Sequence, residues 1–340
     1  MSCRARNAVE YRGLLSRRSI ILTESRREHS EQKHERSFQS LNYSVINSVL
    51  NDPELSKEYK VRAITRDVNS DKVKGLKGKV EVVRGDVSDR ASLEPALTGV
   101  HTVFSMTVPS FAPNGFEIEV NNGKAIADVA LEKGAKYIIF STFPNCAEIS
   151  GGKYTKVTPF DAKAAVAKYI RGLPIQSAFL SAGSFMENFA EQTFLGLRKD
   201  ADGTWVFSRN ISPQTRYPLI DAVGDTGKFV GAILAQPEKY EGRTFCAATR
   251  MYTLEEIVAT IAKSTGKKAV YKQISTEEFR ENMGVPDALA DIFEEGFKCM
   301  EEYGYFGPEG EKLVQWAADN ARGQPATLEE YLERHPLKLE

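Results

Sequence analysis

The stretch HERSFQSLNYSVINSVLNDPELSKEYKVRAITRD, residues 34–67, predicts a helix and then a strand. The helical part places four apolar residues on one face, as an amphipathic helix does: Val45, Ile46, Val49 and Leu50. In a dinucleotide-binding fold, this first helix follows a strand and a glycine-rich loop whose backbone approaches the diphosphate. Here no glycine occurs from residue 14 to residue 74. The sequence therefore indicates the first helix and second strand of such a fold without its phosphate loop.

The missing glycines carry a cost in affinity. Glycine lets the backbone come close to the diphosphate, and the helix N-terminus then supplies N–H donors and partial positive charge. Losing two charge-assisted hydrogen bonds of ~1.5–3 kcal/mol each removes roughly 3–6 kcal/mol, or about two to four orders of magnitude in affinity. We therefore expect cofactor binding to be impaired.

Three interpretations of the segment before this helix remain open. SIILT, residues 19–23, could supply the central strand, although about twenty residues would then separate it from a helix at residue 42, where 2–6 is usual. Alternatively, the sheet lacks its middle strand and has unpaired edges. In the third interpretation, residues 1–41 do not belong to the functional protein, through an alternative start, splice form or misread exon. Because residues 1–40 carry nine Lys/Arg against five Asp/Glu, we expect residues 1–41 to be an atypical, disordered arm.

From residue 42 to residue 190, apolar runs typical of strands alternate with helical patterns, which indicates βαβ units on a parallel sheet. Strands are predicted at 59–66, 79–86, 100–108, 135–142 and 175–183, and helices at 115–133 and 158–171. Ser88 or Asp89 is placed to cap the helix after the strand at 79–86. The predicted fold class is α/β, a doubly wound parallel sheet whose first strand is in doubt.

After residue 190 the elements become shorter, which predicts a smaller α+β region over residues 191–340 that serves as a substrate or lid part. The predicted elements are a strand in GTWVFS, a loop in ISPQTRYPLID, a helix from Gly224 to Ala235, a strand in RTFCAA and a last helix at 327–336. Two capping-box patterns open further helices: Thr253 with Glu256, and Ser275 with Glu278. We do not expect this region to separate cleanly from the preceding one.

Composition argues against several classes of partner. The 45 Lys/Arg and 46 Asp/Glu nearly cancel, so net charge gives no argument for binding nucleic acid or an anionic membrane. No apolar run approaches the ~18 residues of a membrane-spanning helix. The four cysteines have no spacing typical of a disulfide framework or a metal site: Cys3, Cys146, Cys246 and Cys299. We expect a cytoplasmic protein, with the nucleus as an alternative; the Arg- and Ser-rich residues 1–23 leave a mitochondrial presequence as a less favoured one.

From Ser44 to the C-terminus, the chain resembles the NmrA-like proteins, an atypical branch of the short-chain dehydrogenase/reductase group. The resemblance rests on SVINSVLNDPELSKEYKVRAITRD, VEVVRGDVSD, FDAK, LSAGSFMENF and PLIDAVGDTGKFVGAILAQPEKYEGRTF. It implies a Rossmann fold, bound NADP(H), and either reductase chemistry or a redox-sensing regulatory role. The opening glycine-rich motif of that family is not matched, so the resemblance assigns no residue to the diphosphate.

Arg66 is the residue that favours NADP over NAD. It follows the strand at 59–66, at a position where an acid would bind the ribose 2′-hydroxyl of NAD and a base would pair with the 2′-phosphate of NADP. A guanidinium suits a phosphate because it offers forked donors. Ser70 and Lys72 in the next loop could help to hold that phosphate. The alternative is that Arg66 and Asp67 are a solvated pair at the end of a strand.

The ends of the next two strands supply further candidates. By resemblance, Asp86 lies next to the adenine and Val87 covers its ring. The alternative for Asp86 is an Asx turn or a cap on the following helix. Thr107, Val108 and Pro109 end the strand at 100–108, at the carboxyl edge where open α/β sheets bind ligands.

Lys163 is the candidate catalytic residue, and by resemblance it binds the nicotinamide ribose; a surface lysine is the alternative. In the short-chain group, a Tyr four residues earlier is the general acid, but that position holds Pro159, which has no proton to give. A reductase would have to use Lys163 itself or a group such as Tyr154, which could equally serve in loop packing. By resemblance, the nicotinamide lies against the backbone of a segment whose Phe and Met would otherwise indicate core: Phe185, Met186, Glu187 and Asn188.

Two functions from different classes fit these features. The first is an atypical NADP-dependent oxidoreductase of a small-molecule substrate, in which the protein supplies orientation and a proton donor. The second is a non-catalytic regulator that senses NADP(H) and binds a protein partner such as a transcription factor. Lys163 favours the enzyme, whereas Pro159 and the missing glycines argue against efficient catalysis.

Overall fold

The computed structural model describes residues 18–23, 32–76, 78–190 and 196–339, and within them leaves out the side chains of residues 19, 21–23, 32–40, 71 and 72. In the first half of the chain, the elements are β1 (Arg18–Thr23), α1 (Gln32–Asn51), α2 (Leu55–Glu58), β2 (Tyr59–Thr65), α3 (Asp71–Lys74), β3 (Glu81–Arg84), α4 (Arg90–Leu97), β4 (Thr102–Ser105), α5 (Gly115–Glu132), β5 (Tyr137–Thr142), α6 (Cys146–Ile149), α7 (Thr158–Arg171) and β6 (Gln176–Ala182).

The second half continues with β7 (Ser184–Phe185) and a 3-10 turn over Met186–Phe189. The remaining elements are β8 (Arg198–Lys199), β9 (Trp205–Arg209), β10 (Arg216–Ile220), α8 (Ala222–Ala235), β11 (Thr244–Ala247), β12 (Arg250–Thr253), α9 (Leu254–Thr265), β13 (Ala269–Gln273), α10 (Thr276–Met283), α11 (Asp287–Tyr303), α12 (Gly310–Asp319) and α13 (Leu328–Arg334).

Seven parallel strands form the main sheet in the order β11-β6-β5-β4-β1-β2-β3. The two sides of this sheet are covered by different helices. On one side, α1 and α8 pack in a core with Ile139 and Leu180, and on the other, α4, α5 and α7 pack with Ile138 and Phe179. Because neighbouring residues of β5 and β6 face opposite sides and both sides are covered, these strands are buried along their length, except at Gln176. The fold is α/β, a Rossmann-like doubly wound sheet as predicted.

The first strand, which the sequence left in doubt, lies at the centre of this sheet. β1 pairs with β2 in the register Arg18 to Tyr59 and with β4 in the register Ile20 to Thr102. The expectation of a disordered arm is therefore wrong for residues 18–23 and 32–41, which are strand and helix. α1 begins at Gln32 rather than near residue 42, because Gln32, Lys33, Glu35 and Arg36 are good helix formers, and residues 24–31 are left as the connection.

Several local predictions are confirmed. α7 has the predicted bounds. α5 ends at Glu132, one residue before its predicted end, and Gly134 follows the C-cap residue Lys133 with a φ of 82°. Asp89, rather than Ser88, caps α4 by accepting the N–H of Ala91.

Both capping-box sequences open helices, but not with equally complete hydrogen bonding. Thr253 and Glu256 form a complete capping box at α9. At α10, Ser275 accepts the N–H of Glu278. A third capping box, at Thr327 and Glu330, opens α13.

The region after residue 190 is tied to the main sheet. β11 pairs with β6 and forms one edge of the main sheet. The other strands of this region, together with β7, form two small sheets in the orders β12-β10-β7 and β13-β9-β8. The segment ISPQTRYPLID, predicted as a loop, contains β10, which pairs with β12 and β7. Tyr217 and Ile220 have high strand propensity, but Pro213 and Pro218 favoured a loop in the sequence. The division of the chain at residue 190 stays a prediction.

Within the described part of the chain, no helix combines the length and the apolar character that crossing a bilayer requires.

Candidate functional site

The carboxyl edge of the main sheet collects most of the predicted site residues. β1 lies between β2 and β4, so the chain crosses over in opposite directions on the two sides of β1. Such a switch point opens a crevice at the carboxyl ends of the strands, where doubly wound sheets bind ligands. Arg66 follows β2, Asp86 follows β3, and Thr107, Val108 and Pro109 follow β4. All of these residues therefore lie at one edge of the sheet, and their contact with a cofactor stays a prediction.

The connection that would bind the diphosphate is residues 24–31, between β1 and α1. Our prediction that the glycine-rich loop is missing falls on these residues, which lie outside the described part of the chain. Their sequence, ESRREHSE, contains no glycine.

Arg66 and Asp86 face each other across the ends of β2 and β3. Arg66 Nη1 lies 3.8 Å from Asp86 Oδ2, and their side chains are 35% and 29% exposed. The other carboxylate oxygen of Asp86 accepts the backbone N–H of Ser88 at 2.9 Å and its hydroxyl at 2.7 Å. Asp86 therefore forms the Asx turn that the sequence left as the alternative, and its position beside an adenine stays a prediction.

The other candidates near this end of the edge are placed less favourably. Ser70 occupies the N-cap position of α3, but its side chain makes no capping hydrogen bond. The side chain of Lys72 lies outside the described residues. Val87 is 3% exposed and packs in the core with Leu93 and Ala96 of α4, so little of its surface remains to cover a ring.

Lys163 is fully buried rather than on the surface. Its Nζ forms an ion pair with Oε1 of Glu119, and the two side chains are 0% and 1% exposed. The same carboxylate oxygen accepts the hydroxyl of Thr107 at 2.7 Å. Three elements thus meet in one hydrogen-bonded group: the end of β4, helix α5 and helix α7.

Close packing of α5 on α7 explains this contact. A Cβ added at Gly123 would lie 2.6 Å from Cγ1 of Val166, so only glycine permits the observed approach of the two helices. Glu119 lies one turn before Gly123, and Lys163 lies one turn before Val166. The glycine contact therefore brings the carboxylate and the ammonium within reach of each other.

Sequence reasoning did not single out Glu119, although a signal was present. Glu119 lies four residues from both Gly115 and Gly123, on the helical face that continues through Ile126 and Ala127. An acid on the apolar face of a helix between two buried strands is unusual and needs a partner. The partner lies on a different helix, which the pattern of α5 alone does not reveal.

The tyrosine that could replace the missing general acid is occupied elsewhere. The hydroxyl of Tyr154 donates to Glu302 at 2.8 Å, and its ring packs edge-on against Tyr303. Burial, together with the hydrogen bond to Glu302, raises the pKa of Tyr154 to about 12. These contacts support the loop-packing alternative. Pro159 lies in the first turn of α7, where proline is well tolerated.

A chain of aromatic rings begins at the N-terminus of α7. Phe143, which directly follows β5, stacks on Phe160 with ring centroids 4.2 Å apart. Tyr305 contacts Phe160 edge-on at 5.8 Å and Tyr217 at 6.4 Å. All four side chains are partly exposed. Sequence reasoning missed this cluster, because Tyr217 and Tyr305 come from the second half of the chain.

The segment after β6 has a structural role. Phe185 and Met186 are 9% and 0% exposed and belong to two different cores, which supports the core interpretation of these two residues. The carboxylate of Glu187 accepts the N–H groups of Ala222 and Val223 at the start of α8, and burial raises its pKa. Asn188 is partly buried in the same turn. Contact of this backbone with a nicotinamide stays a prediction.

Comparison with known proteins shows which family shares this architecture. The family model described as the NmrA-like family matches residues 40–332. An NmrA-like family domain-containing oxidoreductase of Cladobotryum sp is 30% identical over 291 residues, which cover 78% of this chain and 83% of the relative. A second such oxidoreductase, from Aspergillus flavus, is 28% identical over 282 residues, with 78% and 82% covered.

Solved structures support the fold. The negative transcriptional regulator NmrA in complex with NADP has a TM-score of 0.75 and 19% sequence identity, with 94% of this chain and 95% of NmrA covered. The same regulator has also been solved with NAD, at the same TM-score. The match to the family model spans most of the chain, including α1 from residue 40 onward, β2, the Thr107–Glu119–Lys163 group and the region after residue 190 as far as residue 332. The chain belongs to the NmrA-like family.

Proposed function

We propose that the protein is an atypical NADP(H)-linked oxidoreductase of a small-molecule substrate. The observation that carries this proposal is the buried pair of Lys163 and Glu119 beside Thr107, at the carboxyl edge of the sheet. Removing two charges from water costs several kcal/mol per ion, and an apolar pair of similar volume is often as stable. A buried ion pair at the ligand-binding edge of this fold is therefore better explained by function than by stability.

The residues present fit an NADP cofactor at two positions. Arg66 carries a forked cation at the end of β2 and is partly exposed, and its 3.8 Å separation from Asp86 leaves donors available for a 2′-phosphate. Lys163 would serve the nicotinamide ribose, as the resemblance implies. When bound, NADPH would supply a hydride.

The protein's own groups then have separate tasks. Glu119 compensates the charge of the buried Lys163 ammonium, and Thr107 holds the carboxylate by donating to the same oxygen. The Lys163 ammonium is the proton donor that this proposal assigns, because Tyr154 is bound to Glu302 and position 159 is proline. The partly exposed rings of Phe143 and Phe160 supply an apolar wall for the substrate one turn before Lys163.

A non-catalytic regulator is the second candidate, and specific observations favour it. The tyrosine of the short-chain group is absent at Pro159, Tyr154 is engaged with Glu302, and residues 24–31 contain no glycine. In this function the protein would sense NADP(H) and bind a partner such as a transcription factor without turnover. Such a protein would act in the cytoplasm or the nucleus.

Cofactor titration tests the part that both candidates share. Purified protein is titrated with NADPH and with NADH. The variant Arg66→Ala is compared with Arg216→Ala, which removes an exposed arginine of β10 that pairs with Glu311. A charged hydrogen bond contributes ~1.5–3 kcal/mol, so the Arg66→Ala variant should bind NADPH about 10- to 150-fold more weakly than the wild type does. The affinity for NADH should not change. Equal losses for both cofactors, or no binding of either one, would contradict the NADP proposal.

The phosphate loop can be tested in the same titration. A variant in which residues 24–31 are replaced by a glycine-rich loop should bind NADPH about two to four orders of magnitude more tightly if the native loop is impaired. Equal affinity of the two proteins would show that the native residues bind the diphosphate by other means.

Turnover separates the two candidates. NADPH oxidation is followed with a panel of quinones and carbonyl compounds, comparing Lys163→Met with Lys168→Met, an exposed lysine on the same helix. The enzyme proposal expects Lys163→Met to lose kcat while Lys168→Met retains it. Turnover that survives Lys163→Met in a folded protein would remove Lys163 from the chemistry, and NADPH binding with no turnover across the panel would favour the regulator.

A further inference from the structure

Two cysteines that are 153 positions apart in the chain lie in one small buried cluster. Cys146 begins α6, and Cys299 lies in α11; they are 6% and 2% exposed and pack with Tyr154 and Val157. Backbone atoms of α6 and α11 approach closely, with Cα pairs within 8 Å. Interaction with Cys299 and burial raise the pKa of the Cys146 thiol, and interaction with Cys146 lowers the pKa of Cys299. A disulfide needs Cα atoms roughly 4.4–6.8 Å apart, a separation that the approach of α6 to α11 brings within reach of this pair.

This cluster joins the loop before the candidate site to the second half of the chain. The segment 143–157 leaves β5 and leads into α7, which carries Lys163. Polar contacts fix it to α11: Tyr154 and Lys153 both bind Glu302, at 2.8 and 2.6 Å, and Lys156 binds Asp291 at 2.9 Å. Both lysines are more than half exposed, so their ion pairs contribute little. A covalent bond between α6 and α11 would hold this segment far more firmly.

We propose that Cys146 and Cys299 form a reversible disulfide that tethers the segment 143–157 to helix α11. The oxidant is hydrogen peroxide, a small molecule suited to two thiols of which only 2% (Cys299) and 6% (Cys146) are exposed. The Cys299 thiolate attacks one peroxide oxygen, the O–O bond breaks, and a sulfenic acid forms with release of water after proton transfer. The Cys146 sulfur then attacks the sulfenic sulfur and displaces a second water. The two thiols lose two electrons and two protons, and peroxide takes up both and is reduced to two waters.

Cys246 provides the matched control within the same chain. It is 5% exposed, comparable to Cys146, but it packs with Ala248, Met251 and Phe306 in a cluster that contains no other cysteine among the described residues. Burial alone raises its pKa to about 12. A thiol that is buried without a cysteine partner should neither form the thiolate readily nor find a second sulfur.

The experiment uses full-length protein carrying Cys3→Ser and Cys246→Ser, which leaves the pair as the only thiols. The reduced protein is treated with hydrogen peroxide, remaining thiols are alkylated under denaturing conditions, and peptides are mapped by mass spectrometry with and without dithiothreitol. The expected result is a peptide pair linked through Cys146 and Cys299 that dithiothreitol releases. Cys146→Ser and Cys299→Ser in the same background should each abolish it, with circular dichroism showing that both variants are folded.

Tethering is read separately by hydrogen exchange, which does not depend on cofactor binding or turnover. Amides of residues 143–157 should exchange more slowly in the oxidised protein, while those of α9 are unchanged. Three outcomes would overturn the proposal: both thiols alkylated after peroxide treatment of folded protein, oxidation of one cysteine to sulfinic acid without a linked peptide, or a linked peptide without slower exchange in residues 143–157. In the wild-type chain, a linkage that involves Cys246 instead would also refute it.

Discussion

The carboxyl edge of the sheet holds two ion pairs of opposite character. At one end, Arg66 and Asp86 face each other at 3.8 Å with about a third of each side chain exposed. At the other end, Lys163 and Glu119 are in direct contact and fully buried. An exposed pair contributes little to stability and is cheaply rearranged, whereas a buried pair is costly to break. The same edge thus combines an adaptable, exposed end with a fixed, buried end.

The largest effect that would sharpen this comparison concerns the buried pair. Glu119→Leu leaves the Lys163 ammonium buried without its carboxylate, and the free energy of unfolding should fall by about 3–5 kcal/mol. The double variant Lys163→Met/Glu119→Leu should recover most of the loss, because no uncompensated charge remains. Urea unfolding measures both. Glu132→Leu on the same helix is the control, since Glu132 is half exposed and pairs with Arg90, and its effect should stay within about 1 kcal/mol. A small loss in Glu119→Leu, equal to that of the control, would break the comparison.

A pH effect of intermediate size is expected from Asp161, two residues before Lys163. Asp161 is 8% exposed and accepts the N–H of Ala147 at 3.4 Å, and burial raises its pKa to about 6. Between pH 4 and pH 6 the folded state binds this proton more tightly than the unfolded state, so stability falls as the pH rises through that range. The contribution lost from pH 4 to pH 7 is about 1–3 kcal/mol.

Asp161→Asn isolates this contribution, because its amide oxygen can still accept the N–H of Ala147. At pH 7 the variant should be more stable than the wild type by about 1–3 kcal/mol, and at pH 4 the difference should vanish. Urea unfolding at the two pH values measures the change. A difference that does not depend on pH would show that the Asp161 carboxyl is solvated, which would remove the contrast between the buried α7 end and the exposed end.

The smallest effect is expected at the exposed pair. Arg66→Gln should change the free energy of unfolding by about 0–1 kcal/mol, and any loss should shrink further at high salt. A double-mutant cycle with Asp86→Asn, which keeps an oxygen for the turn with Ser88, measures the coupling between the two side chains. A coupling of several kcal/mol would mean that Arg66 is committed to Asp86 and is not available to a phosphate.

The fold was predictable from the sequence to a large extent, because its signals are local. The apolar face of α1, the apolar run of β4 and the caps of α9 and α13 depend on residues close together in the chain. The strand β1 was ambiguous in the sequence, because a short Ile-rich run between charged segments is identified as a strand only by its pairing with β2 and β4.

The site was predictable only in part, because its chemistry depends on partners from distant elements. Lys163 was identified, but its burial against Glu119 follows from the contact of Gly123 with Val166 between two helices. In the same way, the role of Tyr154 depended on Glu302, which is 148 positions away. The sequence around an ionisable residue does not show whether that residue will be buried in an ion pair or exposed to solvent.

The central position of β1 also has a consequence for protein synthesis. β1 is made before all its partners: its neighbours β2 and β4 begin at residues 59 and 102. At a translation rate of ~5–20 residues per second, the wait for β4 is roughly 4–16 s. Until β2 is made, both hydrogen-bonding edges of this apolar strand are unpaired, and one edge stays unpaired until β4 is made, a condition that favours association with other chains. The nascent chain is thus most in need of a chaperone before the carboxyl edge of its main sheet exists.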